Sequence, residues 1–212
     1  MISFPNAKVN LGLNIVGVRP NGYHDLETVF YPIELCDVLE IVPSRSGKTT
    51  LECYGRKVDC PMENNLVYKA FELMRKEFDV PAVEMYLYKH IPDGAGLGGG
   101  SSDASSALKM LNAIFSLGLS DGDLAKRAAA IGADCPFFIY NKPLKATGIG
   151  DVFAPVELSL AGKTMLLVKP DVSVSTKLAY SKVVPAPADC ALESLLAKPM
   201  TEWNGTVKND FE

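Results

Sequence analysis

Apolar and polar residues alternate over the opening of the chain. From Val9 to Val18, Leu11, Leu13 and Ile15 recur at every second position, the period of a half-buried strand, and Arg19-Pro-Asn-Gly22 then supplies turn chemistry. Further strands are predicted over about Leu26–Glu34, Asp37–Val42 and Thr49–Tyr54, broken by segments such as Pro43-Ser-Arg-Ser-Gly47. An antiparallel sheet is therefore expected to open the fold. The period then changes: Leu66, Ala70, Leu73 and Met74 share one helical face, with Asn64 or Asn65 as cap and an end near Phe78. Val83, Met85 and Leu87 alternate with Glu84, Tyr86 and Tyr88 as a strand, and Ala104, Ala107, Leu108, Leu111 and Phe115 predict a helix capped by Ser101 or Ser102. Ser120, followed by Asp121 and Asp123, opens another helix that stops at Gly132, and the run 133–140 reads as buried apart from Asp134. Beyond Ala154-Pro155 the pattern restarts with a strand at Lys163–Lys169, a helix capped near Ser173 or Ser175, and a last helix around Ala188–Ala197. A boundary near Pro155 divides the chain into 1–155 and a smaller unit, 156–212. The fold class expected is α+β, a mixed sheet with helices packed over it, followed by a second α/β layer.

Composition narrows the partners. With 212 residues, 48% of them hydrophobic, the chain can bury a full core and is no disordered polymer. A net charge of −4 gives no long-range attraction to nucleic acid or anionic lipid, so any phosphate handling must be local. Five widely spread cysteines without C-x-x-C spacing, and only two histidines, make a disulfide framework or a metal cluster a poor reading and suit a reducing cytoplasm. No uninterrupted apolar stretch is long enough for a bilayer, and Met1-Ile-Ser-Phe-Pro-Asn lacks the basic and apolar order of a leader. A cytoplasmic protein acting on a small molecule is expected.

Ile91-Pro-Asp-Gly-Ala-Gly-Leu-Gly-Gly-Gly-Ser-Ser-Asp-Ala-Ser105 joins the predicted strand to the predicted helix with few side chains. Glycines let backbone amides approach an anion, and a helix N-terminus aims unpaired amides and a positive dipole end at the same point. A flexible linker is the alternative, but a linker is not normally pinned between a strand and a helix. The loop is not a Walker motif, because Ser101 follows Gly100 where lysine is required.

Two further segments place single charges in apolar company. Lys8 stands among Ala7, Val9 and Leu11, and Asp134 stands between Ala133 and Cys135. Each is costly to bury alone, so the economical arrangement is that they meet. In phosphoryl transfer a carboxylate orients or deprotonates the attacking hydroxyl, while a lysine keeps it ionised and offsets charge on the phosphoryl oxygens. A plain structural ion pair, or two unrelated surface charges, fits the same residue types.

Taken together, Ala7-Lys-Val-Asn-Leu11, Asn21-Gly-Tyr-His24, Gly96-Leu-Gly-Gly-Gly-Ser-Ser102 and Gly132-Ala-Asp-Cys-Pro136 resemble the GHMP kinase superfamily, from about residue 5 to the end. The resemblance implies a two-domain fold, with a ribosomal protein S5 domain 2-like first domain and an incomplete second α/β sandwich. It implies ATP-dependent phosphorylation of the 2-hydroxyl of a cytidine diphosphate-linked methylerythritol. It makes Asp134 the catalytic carboxylate and Lys8 its cationic partner. Pro92, Gly94, Ala95, Gly96, Leu97, Gly98, Gly99, Gly100, Ser101 and Ser102 are then ATP-binding, with Asn65 and Lys89 near the adenosine. By the same resemblance Asn10 lies by the polyol, Tyr23 and His24 hold the cytosine, the segment Val172-Ser-Val-Ser-Thr176 faces the substrate, and Tyr180 gives a second aromatic wall where the family often has phenylalanine. Mg2+ accompanies ATP on chemical grounds, with Ser101 or Ser102 within its reach. Homoserine, mevalonate or galactose kinases of the same superfamily, and a non-catalytic nucleotide-binding module, remain as alternatives. The family's third motif, a second glycine-rich segment, has no equivalent before Asn209-Asp-Phe-Glu212, so the chain is expected to be a shortened form.

Overall fold

A computed structural model of the chain describes residues 1–170 and 176–212, the side chains of 176 and 177 excepted. In chain order its strands are β1 (Ile2–Ser3), β2 (Asn6–Val18), β3 (His24–Cys36), β4 (Val38–Pro43), β5 (Thr50–Gly55), β6 (Val83–Lys89), β7 (Leu144–Thr147) and β8 (Val152–Pro155). Its α-helices are α1 (Leu66–Phe78), α2 (Gly99–Ile114), α3 (Asp121–Ile131), α4 (Cys135–Tyr140), α5 (Thr176–Lys182) and α6 (Leu192–Leu196). The α+β class is as expected.

The chain forms two compact units, each assembled from separate stretches: Met1–Lys8 with Pro32–Asn141, and Val9–Tyr31 with Lys142–Glu212. Neither border lies near Pro155, because Leu144–Pro155 forms β7 and β8, which pair with each other and carry on the sheet of β3.

The first unit has the sheet order β1-β4-β6-β5. It is mixed: β4 runs antiparallel to β6, whereas β5 runs parallel to it, so the opening strands do not make one antiparallel sheet. Leu39, Ile41, Met85 and Leu87 point one way from this sheet and meet Phe71 and Met74 of α1 and Leu108 and Leu111 of α2. All are close to fully buried, each worth roughly 1.5–3 kcal/mol against exposure. Helix α1 starts where Asn65 accepts the amide of Val67 at 2.9 Å, and α3 starts in a reciprocal capping box between Ser120 and Asp123. The run after Gly132 is the short helix α4, which buries Phe137, Phe138 and Ile139 but leaves Tyr140 exposed.

The second unit has the sheet order β2-β3-β7-β8. Val29, Leu192 and Leu196 form one apolar cluster with Trp203 and Val207 around it, and Leu13, Ile15 and Leu26 form another against Tyr180 and Val183. The tail lies along β2: the amide of Leu13 donates to Lys208, the amide of Asp210 to Leu13, and the amide of Ile15 to the Asp210 carboxylate at 2.6 Å.

Two expectations fail here. No strand forms over 163–169; among the described residues none pairs with it, and Leu166 and Val168 are 86% and 75% exposed, so an apolar run without a receiving strand makes no ladder. The last helix is confined to Leu192–Leu196, because Ala191 is the extended cap and only Leu192 and Leu196, one turn apart, are buried. The expected caps Ser173 and Ser175 fall outside the described residues.

Candidate active site

Helix α2 begins at Gly99 rather than at Ser101, and its cap is Gly98, in the left-handed region with φ of 70° and no capping side chain. The first turn-closing bond is Ser102 amide to Gly98 carbonyl at 2.9 Å. By helix geometry the amides of Gly99, Gly100 and Ser101 have no carbonyl one turn back, so they and the positive end of the dipole are available to an anion. Gly98 is glycine for two reasons. Its positive φ strains any L side chain, and a Cβ there would lie 2.7 Å from the Phe138 ring and 3.3 Å from Cε of Lys8.

That approach joins the loop to the charged pair. The amide of Lys8 donates to the Leu97 carbonyl at 2.9 Å, and its ammonium stands 3.5 Å from the Asp134 carboxylate. The Lys8 side chain is 6% exposed and that of Asp134 37%, so the cation is buried while the anion faces outward. Burial lowers the Lys8 ammonium below its ordinary range against the opposing charge and hydrogen bond of Asp134. Asp134 precedes α4, and Ser105 of α2 donates to the Cys135 carbonyl at 2.7 Å, fixing that turn against α2. The Cys135 thiol, pushed up to about 11 by burial, is an inert packing group.

The residues expected near adenosine are engaged elsewhere. Asn65 spends its carbonyl oxygen on the α1 cap, although the next residue, Leu66, lies close to Gly100. Lys89 is no solvated strand end: it is buried between Asp37 and Asp103, at 2.7 Å from the latter. Neither acid was singled out from sequence. The available signal was Asp103 amid Ser102, Ala104 and Ser105 on a face that also carries Ala107 and Leu108.

In the second unit, Asn10 donates to Thr28 Oγ1 at 3.0 Å, and that hydroxyl bonds the Gly12 carbonyl. His24 and Tyr180 stack with centroids 4.7 Å apart at 28°, and Phe211 meets the other ring of the pair, Tyr180, edge-on at 4.9 Å. Tyr23, by contrast, is exposed, its amide bonded to Asn21. A base cannot lie between His24 and Tyr180 unless the two rings part. The Thr176 side chain, and the 172–175 segment expected to face substrate, fall outside the described residues. Among the described residues no three histidine, cysteine or carboxylate side chains converge as a cation cage, and no helix is long and apolar enough to cross a membrane.

Known proteins resemble this chain in sequence and in fold. Residues 65–142, which span α1, the glycine loop and Asp134, match the family model described as the GHMP kinases N terminal domain. The chain is 54% identical, over its whole length and 78% of the relative, to a 4-diphosphocytidyl-2-C-methyl-D-erythritol kinase of Bacteroides fragilis. It is 50% identical over the same shares to the enzyme of that name from Parabacteroides distasonis. Among solved structures, one titled 4-(cytidine 5'-diphospho)-2C-methyl-D-erythritol kinase superposes with a TM-score of 0.78 at 32% identity, covering all of this chain and 76% of that one. A Methanococcus jannaschii mevalonate kinase, at 15% identity and a TM-score of 0.57, shares the fold alone.

Proposed function

The chain belongs to the GHMP kinase family, and on that premise we propose that it transfers the γ-phosphoryl group of ATP to the 2-hydroxyl of 4-diphosphocytidyl-2-C-methyl-D-erythritol, a step of non-mevalonate isoprenoid precursor synthesis in the cytoplasm. The relatives that match the whole chain at 50–54% identity carry that name. The observation that carries the chemistry is that Lys8 bonds the glycine loop through its amide and Asp134 through its ammonium, within one unit.

The glycine-loop amides, from Gly94 to Ser102, hold the phosphate tail. Asp134 orients the acceptor hydroxyl and takes its proton as the oxygen forms its bond to phosphorus and the bond from phosphorus to the β-phosphate oxygen breaks. Lys8 keeps Asp134 ionised and offsets the charge on the transferring oxygens. The donor set fits a magnesium ion only as a companion of ATP: Ser101, the more open of the two loop hydroxyls, would reach it, and the ion would neutralise phosphate charge. Asn10 serves the polyol, and Tyr23, His24 and Tyr180 serve the cytosine, the stacked His24 and Tyr180 rings parting if the base is to lie between them. Asn65, whose carbonyl oxygen caps α1, serves the adenosine through its amide group.

The test is phosphate transfer from ATP to the diphosphocytidyl substrate, with mevalonate as a competing acceptor and Asp134→Asn as control. Transfer to the cytidine substrate that collapses in Asp134→Asn is expected. Equal rates in the two proteins would remove Asp134 from the mechanism, and preference for mevalonate would refute the acceptor.

A further inference from the structure

The glycine loop has a neck. Its strand side ends at Lys89, the last residue of β6, and its helix side carries Asp103 in the second turn of α2. The Lys89 ammonium bonds Asp103 at 2.7 Å and Asp37, which sits between β3 and β4. Asp37 reaches further: its second oxygen accepts the amides of His90, at 2.5 Å, and Ile91, at 2.8 Å, the first two residues of the loop. One ammonium and two carboxylates thus tie the loop's entry to its exit. All three residues are buried, Asp37 completely. Gly99 lies against the same knot, since a Cβ there would come within 2.9 Å of Ile91 and 3.2 Å of the Lys89 nitrogen.

Two ionised carboxylates around one cation would leave a surplus negative charge in an apolar interior, a cost that protonation of one of them relieves. Oδ1 of Asp103 is buried without a hydrogen-bond partner. Burial, partly offset by the Lys89 charge and reinforced by that of Asp37, pushes the Asp103 carboxyl up to about 7. Burial alone would depress the Lys89 ammonium, but Asp103 and Asp37 outweigh it and hold it above its ordinary range. A fully charged, anchored lysine in such a place is not offered to a ligand. Its reach is through the backbone it fixes.

We propose that Lys89, Asp37 and Asp103 are positioning residues that close the neck of the phosphate loop and so set the direction of its amides toward the triphosphate of ATP. This rests on the reading of the loop as the phosphate site, and it replaces direct contact between Lys89 and adenosine.

Calorimetric titration of the unaltered chain, Lys89→Met and Asp103→Asn with ATP, inorganic tripolyphosphate and adenosine separates the cases. Misaimed amides weaken ATP and tripolyphosphate together by about tenfold or more, with adenosine unchanged and the KM for ATP rising while that of the acceptor holds. Asp103→Asn, which keeps the shape, carries the test if Lys89→Met does not fold, and its loss follows the same pattern. Weakened adenosine binding in either variant assigns Lys89 a direct contact and overturns the proposal. Unchanged tripolyphosphate affinity beside a lowered melting temperature makes the triad structural and also overturns it. Failure of the unaltered chain to bind ATP would remove the phosphate-site reading itself, an outcome distinct from the other two.

Discussion

The main chain of Lys8 and the main chain of Leu97 share a hydrogen bond of 2.9 Å, so the strand that carries the cation is fastened to the loop independently of the cation. Lys8→Met keeps that bond. It also strands no buried charge, because the Asp134 side chain is 37% exposed. Transfer by Lys8→Met is therefore expected to fall roughly 10²–10³-fold in kcat, the usual effect of losing one stabilising group, with ATP affinity nearly intact. Steady-state kinetics beside an ATP titration checks it, and a parallel loss of affinity would show that Lys8 holds ATP.

The pH dependence has a definite sign. Burial puts the folded pKa of Lys8 below the 10.5 of an ordinary lysine, Asp134 opposing. The unfolded chain therefore holds that proton more tightly, so Lys8 opposes folding below its folded pKa and the penalty is relieved as pH rises toward 10.5. Activity follows the ammonium and runs the other way. The alkaline limb of kcat is expected below 10.5 and should move upward in Lys8→Arg, whose guanidinium stays charged. A limb that stays in place belongs to another group.

Gly98→Ala tests the close approach of loop and pair. The added methyl meets Phe138 at 2.7 Å and the backbone has φ of 70°, so a destabilisation of about 1–3 kcal/mol is expected, together with a raised KM for ATP. Thermal unfolding and ATP kinetics report the two effects, and a variant as stable as the parent would mean that the loop relaxes away from Phe138.

The proposed cytidine recognition is expected to divide unevenly between the tyrosines. Tyr180 is held by His24 on one side and Phe211 on the other, whereas Tyr23 is exposed. Tyr180→Ala is expected to weaken a cytidine nucleotide by about 1–3 kcal/mol, and Tyr23→Ala by less. Titration with cytidine diphosphate decides, and the reverse order would return the main stacking role to Tyr23.

Ser120→Ala removes one half of the capping box that starts α3. A loss of about 1 kcal/mol is expected in chemical denaturation, with kinetics unchanged.

What was legible in the sequence was what residues decide locally. Asn65 and Ser120 start helices by bonding amides two and three positions on, so their type and place suffice. Lys8 and Asp134 stood out as ions in apolar company, and the family's motifs supplied their partnership. The triad was hidden because Lys89 finds Asp103 14 positions away and Asp37 52 positions away, and no periodicity records such pairs. Lys89 consequently reads as a ligand contact in sequence, whereas its ammonium is held by Asp37 and Asp103. The strand expected over 163–169 failed for the opposite reason: the apolar run Met165-Leu-Leu-Val168 states only that the segment suits a sheet, and among the described residues it pairs with none. In β7 and β8, four residues each around Gly148 and Gly150, the runs were too short to signal anything.

The interleaved make-up of the second unit bears on how the molecule is born. Its hairpin, Val9–Tyr31, leaves the ribosome early, yet the strands that complete its sheet begin only after Lys142, more than a hundred residues later. At the usual pace of translation that is a wait of roughly ten seconds. Meanwhile Leu13, Ile15 and Leu26 have no cover, while the contiguous stretch Pro32–Asn141, nearly the whole of the other unit, can mature first. The nascent chain therefore passes through a period in which the glycine-loop unit is built and the hairpin of the other is a naked ribbon, the stage at which a holdase chaperone has most to protect.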